Sequence, residues 1–164
     1  MSTGLDALYQ EIILEHSKAR HGAVPPGSGV MTAGIPAGAA HAESHQMNPV
    51  CGDEITVRVD AVGDEVAGMV WDGVGCAISM ASASVLSDLL KGLSRAEAQE
   101  LIGHFRQMLR SRGQASDGQE LVELLGEAAA FAGVARYVAR VKCAMLAWVA
   151  VEAALMQLES GTTA

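Results

Sequence analysis

Leu5, Leu8, Tyr9, Ile12, Ile13 and His16 recur at the three- and four-residue spacing of one helical face. Thr3 with Asp6 has the form of a capping box ahead of that stripe. The pattern predicts a helix ending near Arg20, where Gly22 opens a stretch rich in Gly, Ala and Pro. Positions 22–49 keep neither the helical nor the strand period for long. They read as a surface connection, with room for a short strand within 41–47. Positions 54–61 then alternate, Ile55, Val57 and Val59 against Thr56, Arg58 and Asp60. Gly63-Asp64 makes a turn and 65–71 returns, an antiparallel hairpin with one solvated face. Gly73 and Gly75 bracket a tight approach to Cys76.

Beyond Cys76 the period becomes helical. Positions 77–91 are dense in small residues and close at Gly92. Ser94 with Glu97 forms a second capping box, and Ala98, Leu101, Ile102, Phe105, Met108 and Leu109 make the buried stripe behind it. A polar break spans 112–118, a helix is expected over 120–130, and the last helix runs from about 138 to 159. Strands first and helices afterwards indicate an α+β fold, a small antiparallel sheet of about three strands with helices packed on one face. The chain, 1–164, is expected to be a single domain, with 22–49 irregular and 160–164 a tail.

Composition narrows the function. Half of the 164 residues are apolar, enough for one sizeable core. Nineteen acidic residues against eleven basic ones give a net charge of −8, which argues against nucleic-acid binding but suits a protein partner with a basic patch. The amino-terminal residues lack the basic start, apolar run and small-residue cleavage site of a signal peptide, so a cytoplasmic location is expected. Positions 143–158 are strongly apolar but interrupted by Glu152 and short for a membrane span, so a buried helix and no membrane are expected.

The three cysteines, an odd number, make no closed disulfide framework. Cys51 precedes the hairpin, Cys76 lies between hairpin and helix, and Cys143 is near the start of the last helix. Ends of neighbouring elements converge in space, and Asp53, two residues after Cys51, would share its side in extended backbone. Three thiolates and a carboxylate form a four-ligand set suited to Zn²⁺ or to iron in a cluster. No CxxC pair is present and free cysteine is often buried, so spacing alone leaves inert core thiols as the other reading.

The contexts of the cysteines say more. Asn48-Pro49-Val50-Cys51-Gly52-Asp53, Gly73-Val74-Gly75-Cys76-Ala77-Ile78-Ser79 running into Ala81-Ser82-Ala83-Ser84, and Arg140-Val141-Lys142-Cys143 together resemble the iron–sulfur assembly family of IscU, the NifU amino-terminal domain and SufU. Leu8-Tyr9, Glu15-His16 and Arg20-His21 resemble that family's first helix, with Ala19 where a proline is usual. The likeness covers most of the chain apart from 22–41 and the tail. It is nearest to the SufU branch. The separation of Cys76 from Cys143 accommodates an extra helical segment, Lys142 stands where IscU-type scaffolds carry histidine, and Tyr137-Val138-Ala139-Arg140 replaces the LPPVK chaperone-recognition motif.

The resemblance implies an IscU/SufU-like fold and a zinc ion held by Cys51, Asp53, Cys76 and Cys143. It implies Cys51 as the acceptor of sulfur from a SufS-type cysteine desulfurase, a pyridoxal-phosphate enzyme, and other iron–sulfur assembly proteins as further partners. On this reading the chain is a zinc-dependent sulfurtransferase. The alternatives are a scaffold for a transient [2Fe–2S] cluster on the same four residues, and a structural zinc module. Sulfur transfer needs a thiolate, which a metal ligand shell supplies and which the dipole at a helix start favours at Cys76. Arg140, one helical turn before Cys143, is a candidate charge partner for Asp53 or a thiolate; a helix-surface cation is the equal alternative.

Other residues carry less. His41 and His45 have metal-pair spacing but no helix to hold it, and His104 and the Glu11/Glu15 pair read as solvated. His16, Tyr9, Trp71 and Trp148 read as core or rim, and Ser79, Ser82 and Ser84 lack a hydrolase's His–Asp partners.

Overall fold

A computed structural model describes residues 3–111 and 118–161 of the chain. Helix α1 (Thr3–Ala19) leads through a 3₁₀ turn (Val30–Thr32) to β1 (Ala40–Asn48), β2 (Asp53–Val62) and β3 (Glu65–Val74). Helices α2 (Ala77–Leu90), α3 (Arg95–Arg110) and α4 (Gly118–Leu125), a 3₁₀ segment (Gly126–Arg136) and α5 (Val138–Glu159) complete the chain. The sheet is an antiparallel meander of order β1-β2-β3, so the expected α+β class with a three-stranded sheet is borne out. The strand allowed for within 41–47 is nine residues long and pairs fully with β2, Asn48 opposite Asp53. Its sequence, AHAESHQMN, carries little strand propensity, and pairing and burial of Ala42 supply what the side chains do not.

One face of the sheet, Ile55, Val57, Val59 and Ala61, is buried under the helices. The opposite face departs from expectation. Arg58 and Asp60 are buried, not solvated, because the segment after α1 folds across the back of the sheet. Arg58 donates from Nε and Nη2 to the two oxygens of Asp60 at 2.8 and 2.9 Å. It also donates to the carbonyls of Val30, Ala33 and Gly34. That segment is further stitched to β3, Val24 N–H to the Trp71 carbonyl and Trp71 N–H to that of Gly22. The residues between α1 and β1 are thus the second cover of the sheet.

α5 packs on β1 and β2 and against α2. By length and composition it could cross a membrane, yet more than half of that stretch is buried inside the protein. Trp148 is fully buried and stacks on Phe105, centroids 3.8 Å apart and planes 6° from parallel. Its indole N–H donates to Ser82 Oγ at 2.8 Å, and Ser82 donates to the Ala144 carbonyl at 2.6 Å. The small residues of α2 let the two helices approach closely, and Ser82 fixes α5 at the residue beside Cys143. α3 starts at the capping box of Ser94 and Glu97 and buries the stripe expected of it. The cap expected at Thr3 involves a side chain outside the described residues, and α1 includes Thr3 as its first residue. The polar break of 112–118 also lies largely outside them. The helix expected over 120–130 is α-helical only to Leu125 and continues as 3₁₀.

Candidate metal centre

Cys51 sits in the turn between β1 and β2, Asp53 opens β2, Cys76 is the N-cap of α2 and Cys143 lies in the second turn of α5. The turn is held by Asn48, whose side-chain oxygen accepts from Val50 N–H at 3.1 Å while its carbonyl accepts from Gly52 N–H at 2.8 Å. Gly52 has φ +76, so Cys51 and Asp53 are not joined by extended backbone as their spacing suggested. The turn brings them together instead. A residue with a β-carbon at 52 would be strained in this left-handed conformation.

Cys51 Sγ lies 3.4 Å from Cys143 Sγ, and Cys51, Asp53 and Cys143 place one ligand atom each within 4.8 Å of one another. Cys76 falls outside that mutual set and joins it through Asp53, its Sγ 3.6 Å from Oδ2 and its backbone N–H donating to Oδ1 at 3.1 Å. All four sequence-derived residues therefore meet at one end of the sheet. Gly75 is required for the fit, because a β-carbon there would stand 2.7 Å from Asp53 Oδ1.

Ser79 belongs to the same cluster, and sequence reasoning passed over it while looking for a hydrolase. Buried on the first turn of α2, it donates to Asp53 Oδ2 and lies 3.2 Å from Cys76 Sγ. Its spacing of three from Cys76 at a helix start was the signal, since it places both side chains on one turn. Arg140 is exposed and, among the described residues, makes no ion pair with Asp53 or the thiols. It lines a groove with Tyr9, Ile13, Ile78, Val134 and Tyr137. His45 pairs with Glu54 at 2.9 Å, His104 is half-buried, and Trp71 and Trp148 are core, as is His16.

The electrostatics of the cluster suit a cation. Burial and the neighbouring Asp53, Cys51 and Cys76 push the Cys143 thiol far above its ordinary value of 9.0. Burial would also raise Asp53, but hydrogen bonds from Ser79, Cys143, Cys51 and the Cys76 backbone outweigh it and hold the carboxyl below 3.8. Acidic groups are thus crowded together with a carboxylate already ionised. Zinc sites with Zn–S near ~2.3 Å separate tetrahedral ligand sulfurs by roughly 3.8 Å, and the 3.4 Å between Cys51 and Cys143 is close to that. The donor set fits zinc, and equally an iron–sulfur cluster.

The chain is similar to known proteins over most of its length. Residues 8–144 match the family described as NifU-like N terminal domain. The chain is 32% identical over 160 residues to the zinc-dependent sulfurtransferase SufU of Bacillus subtilis, covering 98% of this chain and 97% of that one. It is 36% identical over 154 residues to the iron–sulfur cluster assembly scaffold protein IscU of Streptococcus pyogenes, covering 92% and 84%. A crystal structure described as a scaffold protein for the SUF system from Fervidobacterium islandicum superposes with a TM-score of 0.69 at 31% identity, over 88% of this chain and 94% of that one. The chain belongs to the NifU-like N-terminal domain family, the SufU- and IscU-type proteins of iron–sulfur cluster assembly.

Proposed function

We propose that the protein is a zinc-dependent sulfur acceptor that takes persulfide sulfur from a pyridoxal-phosphate cysteine desulfurase in the cytoplasm, with Cys51 as the accepting thiol and the whole chain acting as one domain. The observation that carries the reading is the asymmetry of the thiols: Cys143 is buried, Cys76 is exposed but tied to Asp53 and Ser79, and Cys51 is exposed on the turn between β1 and β2. A zinc ion held by Cys51, Asp53, Cys76 and Cys143 would keep these thiols deprotonated. Cys51 as thiolate attacks the outer sulfur of the partner's persulfide. A new S–S bond forms on Cys51, the partner's S–S bond breaks, and its electron pair leaves with the partner's thiolate, so there is no net oxidation. Val50, Val74, Tyr137 and Val138 are exposed apolar side chains on the segments that carry the thiols, which suits a docking surface for that partner. Arg140, exposed beside them, is available to an acidic group of the partner.

The second reading, a scaffold for a [2Fe–2S] cluster, is favoured by the name of the Streptococcus relative and uses the same donors. Metal content and colour after aerobic purification separate the two. One equivalent of zinc in a colourless protein is expected, together with stimulation of a cysteine desulfurase. A brown protein with bound iron and sulfide overturns the sulfur-acceptor reading, and a zinc protein that leaves the desulfurase unstimulated reduces it to a structural module. Ser79→Ala is expected to weaken zinc binding about 10–100-fold in competition with a chelator, the usual effect of removing a group that orients a ligand.

A further inference from the structure

A second group of ligand-type side chains stands where the end of α1 meets the last turns of α2. His16, His21 and Asp88 each offer one ligand atom, and these atoms lie within 4.8 Å of one another. We propose that they form a binding site for a divalent transition cation, Zn²⁺ or Fe²⁺, separate from the thiol site and independent of it.

The two imidazoles are already disposed to share an ion. Their centroids are 5.1 Å apart and their planes 77° from parallel. Two histidines on one tetrahedral zinc, with Zn–N near ~2.0 Å, place their ring centres roughly 5 Å apart. Asp88 Oδ2 lies 2.7 Å from His21 Nδ1 in a direct hydrogen bond, and an ion between them would open this to roughly 3.3 Å, the spacing of tetrahedral ligands at ~2.0 Å. His16 is buried, with Nδ1 2.7 Å from Ser84 Oγ and Nε2 3.4 Å from Glu127 Oε1. Whichever nitrogen faces the cation, the other keeps a partner that fixes the tautomer and the ring. Ser84 also accepts the His21 backbone N–H at 2.9 Å, so one hydroxyl indexes both histidines.

His21 is delivered by a strained residue. Arg20 has φ +50, the one non-glycine residue with positive φ among those described. Its guanidinium is anchored away from the histidines, on the Gly73 carbonyl at 3.1 Å, on Met80 Sδ at 3.2 Å and over the Trp71 ring at 4.8 Å. Such strain persists where surrounding contacts enforce it, and it concentrates at functional sites. The side chains of His21 and Asp88 are 48% and 44% exposed, which gives an ion a way in and leaves coordination positions to solvent. Two histidines and one carboxylate form a set that takes zinc or ferrous iron rather than magnesium or calcium. Ser84 and Asp88, which mark the two sides of the site, lie about 12 and about 18 Å from Cys76 along α2, at 1.5 Å per residue.

Calorimetric titration of the full-length chain with Zn²⁺ counts the equivalents. One equivalent that depends on His21 and Asp88 is expected, weakened more than about 100-fold in His21→Ala and Asp88→Asn, since loss of a ligand costs more than loss of an orienting partner. Both substitutions are at half-exposed side chains, so the fold survives them, and unfolding midpoints of the metal-free variants verify this. The imidazole proton resonances of His16 and His21 should shift with that equivalent. An isotherm unchanged in both variants, or no equivalent beyond one removed by Cys51→Ala or Cys143→Ala, overturns the proposal. Thiols that bind no zinc would sink the sulfur-acceptor reading and leave this outcome intact.

Discussion

Replacing Cys51 by alanine is expected to reduce stimulation of the partner desulfurase to that enzyme's unassisted rate. Transfer of a sulfur atom between proteins requires a thiolate that a second active site can reach. Cys143 is buried on α5 and its thiol strongly resists ionisation in the absence of metal. Cys76 is fixed at the start of α2 with its sulfur against Ser79 and Asp53. Cys76 is exposed as well but held by these contacts, whereas Cys51 is exposed on the turn between β1 and β2. In the metal-free protein the substitution removes no core contact, so its stability should stay within the range of ordinary surface changes, about 0.5 kcal/mol. The measurement is alanine or sulfide release by the desulfurase with and without the variant. Normal stimulation by Cys51→Ala would refute the assignment.

Arg58→Ala is expected to lower the stability of the protein by about 3–5 kcal/mol, read from urea unfolding. Asp60 would then be a buried carboxylate without its bidentate partner, and the carbonyls of Val30, Ala33 and Gly34 would lose their donor. Against a typical total of about 5–15 kcal/mol this is a large fraction. Most of the loss comes from the stranded charge rather than from the absent bond. Arg58→Met combined with Asp60→Leu should therefore be less damaging than Arg58→Ala alone. Equal losses in the single and double variants would show that the covering segment, not the ion pair, sets the stability of this face.

The helices and the central hairpin were legible because their signals are local. The stripe from Ala98 to Leu109, its Ser94–Glu97 cap and the alternation of Ile55, Val57 and Val59 each fix an element without reference to the rest of the chain. The cover over Arg58 and Asp60 was not legible. Two charged residues alternating with valines look like a wet face, and nothing local shows that a Gly- and Pro-rich segment returns to bury them. The full length of β1 was hidden for a related reason, since Ala40–Asn48 becomes a strand by pairing with β2 and not by propensity. At the thiol cluster, the flanking residues of the cysteines pointed to convergence, which three unpaired cysteines by spacing alone did not. Ser79 and the His16–His21–Asp88 group escaped because hydrogen-bond partners and ring orientation depend on how α1 docks on α2.

The left-handed turn at Gly52 bears on the fate of a captured sulfur atom. Three of the four candidate ligands are carried by the sheet and by two packed helices, whereas the fourth stands on an exposed turn at the rim of the molecule. On the sulfur-acceptor reading, a persulfide on Cys51 would start beside Cys143, and rotation of this one exposed side chain would turn it toward an acceptor while the remainder of the protein stands still. Onward delivery would then be governed by the reach of that side chain, and not by any loosening of the interior.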